Sequence, residues 1–146
     1  MAGIVGLTEL QHTNGNSMLT VATTGDGNVK SEGGATTTSL RQGLAKTWVN
    51  FDGSATGAAA SDSFNLTSMT DNGTGDYTVT INNDFSAATY ACPISVGSGS
   101  GAGRYIGTVK DTVRATGSCV FFCLQSSSGS ALDAPDYNIS FHGDLA

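Results

Sequence analysis

The sequence predicts an all-β protein, an antiparallel β-sandwich preceded by a short helix and an extended N-terminal arm. Three observations carry this. Only 12% of the 146 residues are charged, half the ~25% of an ordinary domain, and 20 are glycine, twice the usual ~7%. A surface made of Ser, Thr, Asn and Gly suits strands and turns, whereas exposed helices draw on Glu, Lys, Arg and Gln. The third observation is period-two alternation, clearest where Tyr77, Val79 and Ile81 alternate with Thr78, Thr80 and Asn82. The length fits one ordinary domain, or a small domain with an extension.

Residues 1–38 read as an attachment or assembly arm, and residues 39–146 as a sandwich head with a short leading helix. The arm's only apolar alternation surrounds Met18-Leu-Thr-Val-Ala-Thr-Thr24, closed by the turn signal Gly25-Asp-Gly-Asn28. That is too little apolar surface to fold alone, so the arm should order by docking on its own domain, a neighbouring copy or a larger body. Next comes Leu40-Arg-Gln-Gly-Leu-Ala-Lys46, a helix candidate with Thr38 or Ser39 as its cap. Leu40 and Leu44 share one face at i,i+4, a narrow stripe suited to a bundle of identical helices. Gly43 costs about 1 kcal/mol against Ala, so this helix needs packing to persist.

From Thr47 the period becomes two, with Trp48 and Asn50 on one side and Val49 and Phe51 on the other, until the break Asp52-Gly-Ser-Ala-Thr-Gly57. Phe64, Leu66 and Met69 form a second run. Asp71-Asn-Gly-Thr-Gly-Asp76 then turns the chain into Tyr77–Ile81, which makes a β-hairpin. Further strands are expected over 89–96, 104–110, 112–124 and 137–142, giving seven strand-like runs and hence a sandwich. The run Val120-Phe-Phe-Cys-Leu124 is continuously apolar, which predicts that the second sheet, a partner chain or both cover its two faces. The Gly- and Ser-rich stretches 97–103 and 125–131 read as exposed loops.

Chemistry is sparse. Six Lys and Arg against 12 Asp and Glu give a net charge of −6, and no basic cluster is present to neutralise phosphates, so nucleic acid is not an expected partner. The N-terminal stretch lacks the charged and apolar regions of a secretory signal, and no run is long enough to span a bilayer. The cysteines Cys92, Cys119 and Cys123 are odd in number and form no Cys-x-x-Cys pair, which argues against a disulfide framework or zinc knuckle and for synthesis in a reducing cytosol. His12 and His142 are the only imidazoles, and no Gly-x-Ser-x-Gly elbow accompanies them. The 97–103 glycines lack the phosphate-loop pattern. Asp71, Asn72 and Asp76, like Asp133 and Asp136, are better read as turn residues than as calcium ligands. The expectation is a non-enzymatic protein with no cofactor and no metal.

Two stretches, Ser39-Leu-Arg-Gln-Gly-Leu-Ala-Lys-Thr-Trp-Val-Asn-Phe-Asp-Gly53 and Asp62-Ser-Phe-Asn-Leu-Thr-Ser-Met-Thr-Asp-Asn-Gly-Thr-Gly-Asp-Tyr-Thr-Val-Thr-Ile81, together resemble a known module. It occurs at the C-terminal ends of tailed-bacteriophage tail fibres and other virion fibre proteins. The resemblance covers residues 39 to 96 and continues only in style after Gly97. It implies a sandwich head that projects from the virion as a homotrimer, with Leu40, Leu44 and Trp48 as trimer contacts. It carries no catalytic motif. The chain lacks the long shaft that usually precedes the module, which leaves both tail and capsid positions open.

The resulting expectation is a virion structural protein, made in the host cytoplasm, acting as a short tail-associated fibre or spike with host-surface adhesion. The alternatives are a capsid head fibre or decoration protein and, more remotely, a polysaccharide depolymerase. Expected partners are identical copies, other virion proteins through residues 1–38, and a host surface glycan or protein. The receptor contact is expected on the loops, at Ser98, Ser100, Arg104, Tyr105, Ser127 and Asp133, since polar adaptable loops with an occasional aromatic suit recognition.

Overall fold

The computed structural model describes residues 9–11, 17–21, 27–30, 37–97, 105–110 and 114–146. The chain forms two compact units, Met1–Leu44 and Ala45–Ala146.

The first unit holds four short strands, β1 (Glu9–Gln11), β2 (Ser17–Val21), β3 (Gly27–Lys30) and β4 (Thr37–Ser39), antiparallel neighbours in chain order. The arm expected to be extended is therefore a small sheet, because the alternation at 18–21 finds its partner across the Gly-rich turn signal, with Leu19 opposite Val29 and Thr20 opposite Asn28. The helix is a single turn, α1 (Leu40–Gly43), and Ser39 makes no side-chain cap bond. This turn lies in the first compact unit, whose boundary falls at Leu44. Gly27 explains why: a Cβ there would lie 3.1 Å from Leu40 Cδ1 and 3.6 Å from Leu19 Cδ1, so the bare glycine lets Leu40 pack down on β3.

The second unit contains β5 (Thr47–Phe51), β6 (Ala60–Phe64), β7 (Leu66–Gly73), β8 (Asp76–Ile81), β9 (Ile94–Gly97), β10 (Tyr105–Val109), β11 (Ser118–Gln125) and β12 (Asp136–Phe141). They make two four-stranded antiparallel sheets, β6-β5-β12-β9 and β10-β11-β8-β7. Alternation sorts the side chains. Val49, Phe51, Tyr137, Ile139 and Phe141 of the first sheet and Tyr77, Val79, Ile81, Cys119, Phe121 and Cys123 of the second are buried in one core. The Phe51 ring stacks on Tyr137 at 4.5 Å and meets Tyr77 edge-on at 5.1 Å and Phe121 at 5.9 Å. These are favourable aromatic geometries, and two of them join one sheet to the other.

Within this chain the second sheet covers one face of Val120–Leu124: Cys119, Phe121 and Cys123 point inward, while Val120, Phe122 and Leu124 are half-buried on the outside. Lys110 helps shield that outer row, its ammonium lying 3.8 Å above the Phe122 ring. The strand expected over 89–96 is only Ile94–Gly97, and the one over 112–124 starts at Ser118.

The run through Phe64, Leu66 and Met69 is two strands, one in each sheet, divided at Asn65. Its backbone is left-handed, φ +58°, a conformation that Asn tolerates better than most residues. The side chain fixes the corner. Asn65 Nδ2 donates to Lys46 O at 3.1 Å, Thr47 Oγ1 at 3.1 Å and Asn83 O at 3.2 Å. Its Oδ1 accepts from Asn83 N and Nδ2, both at 2.8 Å. Asn65→Gly keeps the conformation and loses the bonds, whereas Asn65→Ala loses both. In urea unfolding, both variants should be destabilised, Ala by about 2–4 kcal/mol and more than Gly; an Ala variant within 0.5 kcal/mol of the parent, on the order of an inert surface change, contradicts this role.

Candidate functional site

The residues that carry the sequence signature are engaged in holding the sandwich. Gly75, at φ +67°, follows Gly73 and Thr74 in the β7–β8 turn, and a Cβ on it would lie 2.6 Å from Cys123 O. Its N–H donates to Asp133 Oδ1 at 2.7 Å, and its carbonyl accepts from Cys123 N at 2.8 Å. Gly53 leaves no room either, since a Cβ would sit 2.5 Å from both the Tyr77 hydroxyl and Tyr137 Cε2. The Tyr77 hydroxyl lies 2.7 Å from Asp133 Oδ1 and 3.0 Å from Gly53 O. Asp71 Oδ1 accepts from Gly73 N at 2.9 Å, as a turn residue does. Asp76 pairs with Lys110 at 2.7 Å. Among the described residues, no group of three or more His, Cys, Asp or Glu is placed to hold a metal ion.

Of the expected loop contacts, Tyr105, Ser127 and Asp133 fall among the described residues. Ser98, Ser100 and Arg104 lie outside the described residues. Tyr105 is half-buried and packs against the core, and Asp133 turns its carboxylate inward to Tyr77 and Gly75. Ser127 is exposed on the turn after β11. Of the trimer contacts implied by resemblance, Leu40 and Leu44 are 37% and 59% exposed in the N-terminal unit, and Trp48 is 36% exposed in the second. His12 lies outside the described residues. His142 Nε2 is 3.2 Å from Ser140 Oγ. Cys92 and Cys119 share a hydrogen bond that raises the Cys92 thiol and lowers that of Cys119.

What the structure does bring together is the outer face of the first sheet. An open groove of about 440 Å³ runs over β5, β12 and β9, lined by Trp48, Asn50, Pro93, Ser95, Asn138 and Ser140 among others. Register sets its layout. Phe64, Trp48 and Ser140 lie in one row across β6, β5 and β12, and Asp62, Asn50, Asn138 and Ser95 form the next. Asn50 Nδ2 donates to Asn138 Oδ1 and Asp136 Oδ1, both at 2.9 Å, and Asn138 Nδ2 donates to Asp136 Oδ1 at 3.0 Å. Sequence reasoning placed Trp48 and Asn50 on one face. It missed the groove because the partners come from strands about 45 and 90 residues away in the chain, and only pairing register brings those together.

No family model, curated protein or solved structure matches the chain. Among the described residues, no helix is long and apolar enough to cross a membrane.

Burial raises the phenol pKa of Tyr77, Tyr90 and Tyr137 above the ordinary 10.0, and the bond to Asp133 adds to the rise at Tyr77. The folded state therefore favours the neutral phenols. That stability is fully present below the unfolded value, near pH 10, and is lost as pH rises above it toward the folded values. The urea midpoint should fall steeply above about pH 10, and ultraviolet titration should show these phenols ionising only as the fold is lost. Reversible ionisation of all of them near pH 10 in the folded protein contradicts the burial assignment.

Proposed function

We propose that this chain is a structural component of a bacteriophage virion, a short tail-associated fibre or spike that assembles as a homotrimer and attaches to the host surface. The supporting observation is the use of the signature residues. Gly53, Gly75 and Tyr77, which lie in the two stretches resembling the fibre module, form the contacts that close the sandwich, so the resemblance concerns the parts that determine the fold. Adhesion is supported by what the sandwich presents outward, an open groove lined by Trp48, Pro93 and Ile94 together with Asn50 and Asn138. The role is binding and not bond breaking. The first unit, a small sheet with Val29, Leu40 and Leu44 exposed, supplies apolar surface suited to identical neighbours or virion partners.

Light scattering on the whole chain should give three times the 14.7 kDa chain mass; a monomer at micromolar concentration contradicts the assembly. Fluorescently labelled protein should adsorb saturably to some cells in a panel of Gram-negative and Gram-positive bacteria. Absence of adsorption across the panel counts against attachment. Densitometry of virions carrying the chain separates a tail position, with a few trimers each, from a capsid decoration present in tens of trimers.

A further inference from the structure

We infer that the outer face of the first sheet is a saccharide-binding platform for uncharged pyranoside glycans, with Trp48 as the stacking residue. The inference rests on the adhesive reading above and moves the contact from the loops to the sheet. A pyranose has two kinds of surface, a flat patch of C–H groups and an equatorial belt of hydroxyls that each donate and accept. The face has the matching pair. Phe64 and Trp48, directly opposite each other on β6 and β5, are 55% and 36% exposed and offer ring surface to the C–H patch. The neighbouring row of Asp62, Asn50, Asn138 and Ser95 offers carboxylate, amide and hydroxyl groups to the belt. Successive same-face positions on a strand are about 7 Å apart, so a sugar lying on the indole brings its hydroxyls to the polar row.

The polar groups of this face are both fixed and unsaturated. The mutual bonds of Asn50, Asn138 and Asp136 hold their side chains in place before any ligand arrives, which lowers the ordering cost of binding. Among the described residues, Asn50 Oδ1, Asp62 Oδ2 and Asp136 Oδ2 receive no hydrogen bond, which leaves acceptors for sugar hydroxyls. A groove of about 440 Å³ lies within the ~300–1,000 Å³ of small-ligand sites. Charge selects among sugars. Asp62 and Asp136 border the face, no Lys or Arg among the described residues lines the groove, and the chain carries −6 overall, so sialylated, uronic or sulfated glycans are repelled.

Trp48 is the only tryptophan, so its emission reads this face directly. The whole chain should be applied to an array of uncharged and anionic glycans, and the retained oligosaccharides titrated while tryptophan emission is followed. The expected result is retention of uncharged pyranosides, a saturable change in emission, and anionic glycans not retained. Binding of Trp48→Ala, followed by calorimetry, should weaken about ten-fold or more, and Asn138→Ala should weaken binding with an unchanged melting temperature. Retention of no uncharged glycan overturns the inference, as does full binding by Trp48→Ala. Dissociation of the Trp48→Ala oligomer overturns it too, because Trp48 is then an assembly contact. Cell adsorption separates this inference from the reading beneath it. Adsorption that survives both Trp48→Ala and periodate oxidation of the cell glycans leaves the adhesin and removes the saccharide platform, whereas no adsorption by the parent chain removes the adhesin itself.

Discussion

One carboxylate oxygen, Asp133 Oδ1, joins three parts of the sandwich. It receives the Gly75 amide and the Tyr77 hydroxyl, both at 2.7 Å. The same hydroxyl lies 3.0 Å from Gly53 O, just past β5 in the opposite sheet. A buried phenol left unpaired costs about 1–3 kcal/mol, so a large aromatic core is tolerable only where each hydroxyl finds a partner. The segment beside Asp133 meets that need twice. Tyr137 Oη donates to Leu132 O and accepts from Ala134 N, both at 3.2 Å, while Gly53 N donates to Ala134 O at 2.9 Å. Two tyrosines, two glycines and residues 132–134 thus fix how the sheets close over Phe51 and Phe121.

This arrangement accounts for the chain's unusual composition. With few charged side chains, the surface relies on Asn, Asp, Ser and Thr, which bond to nearby backbone as readily as to solvent. Asn65 turns the chain from one sheet to the other, Asp71 closes the hairpin, and Asp133 holds the sheet ends. Polar residues that look like surface in the sequence are therefore framework. The face free of such duties is the outer side of β6, β5, β12 and β9, where rows of aromatic and amide side chains remain open.

The alternation of Tyr77, Val79 and Ile81, and of Val49 and Phe51 against Trp48 and Asn50, was legible in the sequence because each strand has one buried and one open face. So was the hairpin at Asp71–Asp76. The corner at Asn65 was not, since a single left-handed residue between two apolar runs leaves no period to read. Val120–Leu124 reads as continuously apolar because its outer side chains are apolar too, and within this chain they are half-buried, with Lys110 over the Phe122 ring. The inward turn of Asp133 was hidden as well, because its partners Gly75 and Tyr77 lie more than fifty positions earlier.

A double-mutant cycle between Tyr77→Phe and Asp133→Ala, measured by urea unfolding near pH 7, tests the central claim most directly. Each single change should destabilise the sandwich, and the pair should show a coupling of about 1–3 kcal/mol, the range for residues sharing one buried network. Additive losses, with coupling within about 0.3 kcal/mol of zero, would mean that the carboxylate and the phenol act independently and that the sheets are closed by apolar packing alone.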